Sequence, residues 1–218
     1  MAAAQSSISP PYRQVRAQYD NDTITVYQAY SAAIAEPAVA AQKLNASPDF
    51  KPTRMTWIKP SWCWMMYRAG YSYKDARQAR ILALRMKRSH FIGLLERGVL
   101  STHAAAEGDA AEGSGRDKAA EVRVQWDPER TPALEKLSYR SIQIGIPASL
   151  SEQWVNEWIV SIEDVTARAR ALKAAIDEDA AVTIETLMER GLIPVEKPFD
   201  VPEDIQSKLD LSLAAPAS

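Results

Sequence analysis

The sequence predicts an α+β protein with about six strands in a small mixed sheet that can split in two. Helices are expected between the strands and in the C-terminal part. Short β-branched and aromatic stretches are separated by helical stretches of uneven length, which favours α+β over a regular parallel α/β winding. Hydrophobic residues make up 46% and charged residues 25% of the 218 residues, a composition that suits a folded chain with one core.

The N-terminal elements begin after residues 1–11, which end in two prolines and predict a disordered leader. Residues 23–30 (TITVYQAY) are rich in β-branched and aromatic side chains and predict the first strand. An Ala-rich helix follows. Because Pro37 is unfavourable inside a helix, we expect the main helix to begin near Glu36 and to end near residue 44.

A strand at residues 54–58 and a helix at residues 62–68 are predicted next. Ser61 can cap this helix and Gly70 can end it. Its sequence, WCWMMYR, is apolar nearly all round, so the helix is expected to be buried. A helical turn is predicted at residues 75–80.

The third strand is predicted at residues 81–88, where apolar and basic side chains alternate. Ser89 can cap a helix at residues 90–97, which Gly98 ends. Residues 101–121 contain no Trp, Tyr, Phe, Leu, Ile or Val. They predict a flexible insertion, because the entropy of closing a loop grows slowly with its length.

The remaining strands are predicted at residues 122–127, 139–146 and 158–165, with Pro128 and Pro132 breaking the first of them. Helices are predicted at residues 151–157, 166–176 and 183–190. After Pro194 the chain is acidic and is expected to drape over the surface, and residues 201–218 form an acidic, Ala-rich tail. The organisation predicted is one globular domain over residues 12–200.

Several classes of function lack their motifs in this sequence. There is no GxxxxGK[ST] phosphate loop, no GxGxxG and no GxSxG. Cys63 is the only cysteine, and His90 and His103 are the only histidines, so we expect no disulfide, no His-based triad and no metal site. No apolar run reaches the ~20 residues of a membrane span, and the first residues do not resemble a signal peptide. We therefore expect a cytoplasmic protein without a membrane partner.

Charge is distributed unevenly along the chain. Residues 51–100 contain eleven Lys or Arg and two acidic residues, whereas residues 151–218 contain fourteen acidic residues and six Lys or Arg. A basic centre can bind a phosphate-bearing ligand. Alternatively, the basic and acidic parts pair with each other across the fold.

The stretch at residues 54–70 carries three of the six tryptophans, three of the six methionines and the only cysteine, together with three basic residues. Large rigid side chains with a few cations among them are typical of a ligand pocket. Polar side chains on otherwise apolar strand faces, such as Gln28 and Gln143, must find hydrogen bonds or line a cavity. They either form a satisfied internal network or belong to that pocket.

These residues together predict a pocket for a nucleotide-type, phosphate-bearing ligand, since aromatic rings stack on bases and Arg or Lys holds phosphate. NAD or another nucleotide is the expected cofactor class, and an enzyme that uses it is one form of this hypothesis. The candidate acid/base residues are Glu163 and Asp127. The candidate ligand-binding residues are Arg16, Tyr27, Gln28, Trp57, Lys59, Arg68, Gln125, Arg140 and Gln143.

Five ordered blocks carry a family resemblance: residues 16–35, 54–71, 122–130, 139–146 and 157–166. With them the chain resembles the bacterial and fungal family catalogued as domain of unknown function 4291, over about residues 12–200. The resemblance implies no activity, because the family has none assigned. The order of elements is also similar to the opening of ADP-ribosyltransferase folds, which bind NAD between two small sheets.

The similarity to ADP-ribosyltransferases implies roles for three positions. Arg16 or Tyr27 would match their first-strand residue, Tyr67 or Ser61 their second motif, and Glu163 their late-strand glutamate.

Two other functions remain open. The chain can be an RNA- or DNA-binding module that uses the basic region 51–97. It can also be an interaction protein in which the Trp- and Met-rich stretch is only core.

Overall fold

The computed structural model describes residues 10–101 and 121–211. The predicted leader and insertion lie almost entirely outside the described residues, as does the end of the predicted tail. The predicted α+β class is confirmed, because the described residues form seven helices and nine strands. The assignment of residues 12–200 to one domain stays a prediction.

The strands form two sheets and a ribbon. Sheet I has the order β2-β4-β8, sheet II the order β3-β7-β6-β5, and β1 pairs with β9. Neighbouring strands are antiparallel except β5 and β6. The strands are β1 (Arg16–Ala17), β2 (Thr23–Tyr30), β3 (Thr56–Ile58), β4 (Arg80–Lys87), β5 (Val99–Leu100), β6 (Arg123–Arg130), β7 (Lys136–Ile146), β8 (Ile159–Asp164) and β9 (Lys197–Pro198).

The helices connect the strands and cover the sheets. In the described residues they are α1 (Ala32–Ala41), α2 (Trp62–Ala69), α3 (Arg88–Arg97), α4 (Ser151–Gln153), α5 (Thr166–Glu178), α6 (Ile184–Glu189) and α7 (Glu203–Lys208). Helix α4 continues as a π-helical turn, Trp154–Trp158, directly before β8. None of these helices is long and apolar enough to cross a membrane.

Sheet I is covered fully on one face and partly on the other. One face, with Ile24 and Val26, packs against apolar side chains of sheet II such as Ile142 and Ile144. The other face is partly covered by α2 and α5, where Tyr27 of β2 belongs to the same cluster as Trp62 and Leu172. This arrangement follows from β2, which carries apolar residues at both alternating positions.

Besides packing face to face, the two sheets are joined in the described residues by a pair of backbone hydrogen bonds. The N–H of Tyr27 donates to the carbonyl of Lys59 at 2.8 Å, and the N–H of Lys59 donates to the carbonyl of Tyr27 at 3.4 Å. Lys59 directly follows β3, so this pair joins β2 of sheet I to the end of β3 in sheet II. The junction positions the candidate site.

Three expectations about prolines and caps differ from the structure. Helix α1 begins at Ala32 rather than near Glu36, and Pro37 lies inside it. The first turn forms before the proline, because the carbonyl of Ser31 accepts the N–H of Ala35 at 3.0 Å. Helix α3 begins at Arg88 directly after β4, so Ser89 lies in its first turn and does not cap it.

Strand β6 continues through Pro128, which was expected to break it. β5 pairs only with the first two residues of β6, so Pro128 lies on an exposed strand edge where its missing N–H costs no ladder bond. A register shift between Pro128 and Arg130 accommodates the ring. The C-terminal segment does not simply drape over the surface, since it forms β9 and α7.

Candidate functional site

Helix α2 forms one wall of the candidate site. Ser61 caps it, because its Oγ accepts the N–H of Trp64 at 3.1 Å. Gly70 ends it with a left-handed φ of 54°. Both roles were predicted from the sequence. Trp62 packs into the core on one side of this helix, and Trp64 and Arg68 line a cavity on another.

This cavity of about 300 Å³, called the junction cavity below, lies between α2, β3 and the end of β2. Its lining combines three kinds of side chain: cations, aromatic rings and amides. They are Arg54, Lys59 and Arg68; Tyr30, Trp57 and Trp64; and Gln28, Gln78 and Gln143, with Ala29, Met55, Thr56 and Met65 completing the lining. None of these described lining residues is a carboxylate, so the charge of the lining is positive.

Lys59 is the buried cation of the junction cavity, with 1% of its surface exposed. Its Nζ donates to Asp127 Oδ2 at 3.0 Å and to the carbonyl of Ser141 at 3.3 Å. It also lies 4.0 Å from the ring centroid of Trp64, within the range of a cation–π interaction. Burial lowers the pKa of Lys59 to about 8, although the neighbouring carboxylates act in the opposite direction. The position of the lysine is therefore fixed, and the carboxylate of Asp127 offsets part of its positive charge.

The amide of Gln28 connects the two sheets beside the cavity. Its Nε2 donates to Thr56 Oγ1 at 2.7 Å and to the carbonyl of Trp57 at 2.9 Å, while its Oε1 accepts the hydroxyl of Tyr30 at 3.0 Å. Gln28 therefore belongs to an internal network and also lines the cavity, while its role in binding a ligand stays a prediction. Burial raises the pKa of Tyr30 to about 12, which keeps its hydroxyl protonated.

Gln143 lies on β7 opposite Gln125 of β6, and its Nε2 donates to Gln125 Oε1 at 3.1 Å. Gln143 lines the junction cavity, and Gln125 supports it from the neighbouring strand. Gly145 lies two residues further along β7. A Cβ there would come within 2.8 Å of Met55 Sδ and 3.0 Å of the Trp57 ring, so the absent side chain makes room for Trp57.

Arg54 and Arg68 are exposed at the cavity. In the described parts of the chain, neither forms an ion pair. Several other basic residues of the region 51–97 do pair with carboxylates: Lys59 with Asp127, Arg77 with Asp75, Arg80 with Glu36 and Asp164, and Arg85 with Asp20. The two arginines at the cavity are therefore available to an anionic ligand.

Three predicted ligand-binding residues lie elsewhere. Arg140 is on the opposite face of β7 from Gln143, where its Nε donates to the Tyr12 hydroxyl at 2.7 Å and its Nη1 to the carbonyl of Trp126 at 2.7 Å. Arg16 lines a separate cavity on the other side of α2. Tyr27 is fully buried, packs edge-on against Trp62, and lines a third cavity of about 360 Å³.

The two candidate acid/base residues are also apart from each other. Asp127 accepts the hydrogen bond from Lys59 behind the junction cavity. Glu163 is exposed on β8, lines the third cavity together with Tyr27, and lies 3.9 Å from Arg168. Neither carboxylate lines the junction cavity.

The polar and aromatic lining residues Tyr30, Arg54, Trp64 and Gln78 were not among the candidate ligand-binding residues predicted from the sequence. Tyr30 shares a strand face with Gln28, and Arg54 and Trp64 lie in the aromatic stretch, so the same patterns could have identified them. Gln78 gave no such signal. It is held by Asp75, whose Oδ2 accepts its Nε2 at 2.9 Å. Across the described residues, no group of three or more His, Cys, Asp or Glu could hold a metal ion.

A family model described as Domain of unknown function (DUF4291) matches residues 14–199. No curated protein matches the chain.

Proposed function

Because the chain belongs to the family described as Domain of unknown function (DUF4291), whose description carries no activity, we propose a function from the junction cavity. The cavity binds a nucleotide-type ligand that carries one or more phosphate groups. The family resemblance expected from the sequence is confirmed, whereas the similarity to ADP-ribosyltransferases has no such support. The proposal therefore rests on the chemistry of the lining.

One observation carries the proposal. Three cations, three aromatic rings and three amides line a single cavity of about 300 Å³ that has no carboxylate among its described lining residues. Phosphate needs cations without competing carboxylates. A base needs a flat apolar surface and hydrogen-bond partners at its edge. The lining supplies each of these groups.

The cations that line the junction cavity differ in their exposure to solvent. Arg54 and Arg68 are exposed at the cavity, and Lys59 is buried beside Trp64. We infer that the two arginines hold phosphate oxygens and that Trp57, which is half-buried, stacks on the base. Gln143 is then the amide that contacts the edge of the base.

The proposal is for binding and includes no transfer reaction. The carboxylate that a transferase would use, Glu163, lines a different cavity from Lys59 and Trp57. NAD is one member of the ligand class, beside ATP and GTP. Turnover becomes testable once a ligand has been identified.

Nucleic-acid binding is less well supported. A nucleic-acid surface needs a row of cations that are free to meet phosphates, yet Lys59, Arg77, Arg80 and Arg85 are all in ion pairs with carboxylates. A small ligand at Arg54 and Arg68 uses two cations that form no ion pair among the described residues and that line one cavity.

The test is a thermal-shift and calorimetric titration with NAD, ATP, GTP and a short single-stranded RNA, each at low and moderate salt. A ligand that binds only the folded state raises the melting temperature. We expect one of the small nucleotides to bind with one-to-one stoichiometry at both salt concentrations. The variants Arg54→Ala and Arg68→Ala are expected to weaken it about 10- to 100-fold, the usual range for losing a charge-assisted hydrogen bond.

Arg77→Ala is the matched control, because Arg77 is an exposed arginine of the same basic region that does not line the cavity. It is expected to leave the affinity unchanged. Equal weakening by all three variants would indicate nonspecific charge attraction and contradict the pocket. Binding of RNA alone, lost at moderate salt, would support the nucleic-acid function instead.

A further inference from the structure

A second cavity, of about 400 Å³, lies on the other side of α2 from the junction cavity. It is enclosed by the start of α2, the turn between β6 and β7, and residues 184–196. Two carboxylates, Glu129 and Glu196, line it together with apolar side chains that include Leu137, Ile184 and Ile193. We call it the carboxylate cavity.

Among the described residues, each of the two carboxylates accepts hydrogen bonds at one of its two oxygens. Glu129, which is 7% exposed, accepts at Oε1 the hydroxyl of Ser61 and the N–H of Arg130, both at 2.8 Å. Glu196 accepts at Oε1 the N–H of Trp62, the first residue of α2, at 2.7 Å. Among the described residues, nothing donates a hydrogen bond to Oε2 of either side chain.

Neither carboxylate forms an ion pair in the described structure, although Arg16 and Lys59 lie near enough for their charges to act on Glu196. Two arginines line the same cavity, but both are engaged elsewhere. Arg16 donates to Gln14 Oε1 at 3.1 Å and to the backbone carbonyl of Glu196 at 3.0 Å. Arg130 donates to the carbonyl of Leu134 at 3.3 Å and stacks 3.7 Å from the ring centroid of Tyr67. No ion pair joins either arginine to Glu129 or Glu196.

A buried carboxylate, Glu129, and a half-buried one, Glu196, without an ion pair are costly in one cavity unless one of them keeps its proton or a positive ligand lies between them. Burial, and to a lesser degree the charge of Glu129, raise the pKa of Glu196 to about 8. Without a cation bound beside it, Glu196 therefore holds a proton at neutral pH. A cation that enters would displace that proton.

The walls indicate which kind of cation fits. Leu137, Ile184, Met188, Ile193 and Pro194 line the cavity, and Ile184 is 51% exposed. These apolar side chains offer no oxygen ligands to a metal ion, which needs several of them. Apart from the two carboxylates, the side-chain oxygens of the described lining are the neutral hydroxyls of Ser61, Thr131 and Tyr139. The apolar wall does suit the methylene groups of an alkyl chain.

We propose that the carboxylate cavity binds an organic cation, with an ammonium or guanidinium group between Glu129 and Glu196 and its apolar chain against Leu137, Ile184 and Ile193. The cation can be a free small molecule or the side chain of a lysine or arginine in another protein. The two sources share the same chemistry. This site does not depend on the nucleotide-type ligand of the junction cavity.

The test is isothermal titration of the full chain at pH 7 with n-butylguanidinium, and with n-butylurea as a neutral molecule of the same shape. Each titration is run in two buffers of different ionisation enthalpy, so that proton release is measured with the affinity. We expect n-butylguanidinium to bind at least tenfold more tightly than n-butylurea. It should release up to about 0.9 proton, since a group with a pKa of about 8 is mostly protonated at pH 7.

Two isosteric variants test the residues. Glu129→Gln and Glu196→Gln are each expected to weaken n-butylguanidinium at least tenfold, and Glu196→Gln to abolish proton release. The glutamine side chain keeps the oxygen that accepts the hydrogen bond, from Ser61 in Glu129→Gln and from the first N–H of α2 in Glu196→Gln. The fold should therefore persist, which circular dichroism would verify. Glu189→Gln, an exposed glutamate of α6 that does not line the cavity, is the control and should change neither quantity.

A capped Gly-Arg-Gly peptide and its citrulline counterpart distinguish the two sources. Binding of the arginine peptide at least as tightly as n-butylguanidinium would support a protein side chain as the ligand, and binding of the free cation alone would support a small molecule. Equal binding of n-butylurea and n-butylguanidinium would overturn the proposal. Unchanged binding in both glutamine variants, or no binding of any cation, would also overturn it.

Discussion

The substitution Glu196→Gln is expected to change how the stability of the protein depends on pH. Glu196 has its pKa raised from the ordinary 4.5 to about 8 by burial. Between these two values the folded state holds a proton that the unfolded state has lost. The free energy of unfolding must therefore fall as the pH rises from about 4.5 to about 8.

The magnitude follows from the two pKa values. Each pKa unit corresponds to about 1.4 kcal/mol, so the full difference for Glu196 amounts to about 5 kcal/mol. The side chain is not completely shielded, since the residue is only half-buried, and partial solvation reduces this figure. We expect Glu196→Gln to be about 2–4 kcal/mol more stable than the wild type at pH 8, and to differ little from it near pH 4.

The assay is urea denaturation at a series of pH values from about 4 to about 11, with unfolding monitored by tryptophan fluorescence. The quantity of interest is the difference between the variant and the wild type, because contributions of other titrating groups cancel in it. Glu189→Gln, in which an exposed glutamate is replaced, should give a flat difference. A flat difference for Glu196→Gln as well would refute the argument that Glu196 is protonated in the folded protein at neutral pH.

Three further predictions concern the junction of the sheets. The pKa of Lys59 is lowered from 10.5 to about 8 in the folded state. Between these pH values the unfolded state binds the proton and the folded state does not, so the free energy of unfolding should rise by about 3 kcal/mol. Lys59→Met should remove that rise in the same denaturation series. Trp62→Ala should lower the free energy of unfolding by about 3–5 kcal/mol, because the indole is fully buried and its ring centroid lies 5.2 Å from that of Tyr27. A loss below about 1 kcal/mol in urea denaturation would contradict this packing. Gly145→Ala should lower the free energy of unfolding by about 1–3 kcal/mol and weaken the binding of any ligand of the junction cavity, since the new Cβ would meet the Trp57 ring at 3.0 Å. Urea denaturation measures the first effect and calorimetry the second. Unchanged affinity would show that Trp57 does not contact the ligand.

Elements with two agreeing local signals could be predicted from the sequence. The strand at residues 23–30 has β-branched and aromatic side chains along its whole length, and the structure gives the same bounds for β2. Helix α2 has Ser61 before it and Gly70 after it, and both act as caps. Agreement between composition and end signals makes such elements independent of distant contacts.

Other elements depend on partners that are remote in the sequence. The two-residue strands β1 and β9 exist only because they pair with each other, and neither stretch has a strand pattern of its own. Pro128 is tolerated in β6 because no neighbouring strand needs its N–H. A sequence pattern shows the missing donor but does not show whether a neighbour requires it.

The candidate site divides in the same way. Gln28, Trp57, Lys59, Arg68 and Gln143 were predicted and all line the junction cavity, because they lie on or beside strands and a helix whose faces could be inferred. Their role in ligand binding stays a prediction.

Two residues show where the inference stopped. Arg140 and Gln143 lie an odd number of residues apart on one strand, so only one of them can face the cavity, and the pattern alone did not show which. Glu196 looked like one more charge in an acidic segment. Its contact with the start of α2 depends on the pairing of β9 with β1.

The backbone pair between Tyr27 and Lys59 has a consequence for how a ligand could be detected. Its two amide hydrogens belong to hydrogen bonds that cross from one sheet to the other, so their exchange with deuterium measures whether the sheets separate. A ligand that touches both Gln28 and Trp57 would hold the sheets together and slow exchange at these two amides relative to the middle of β2. Hydrogen exchange at these two amides would therefore report whether the junction cavity holds a ligand, even before the chemistry of that ligand is known.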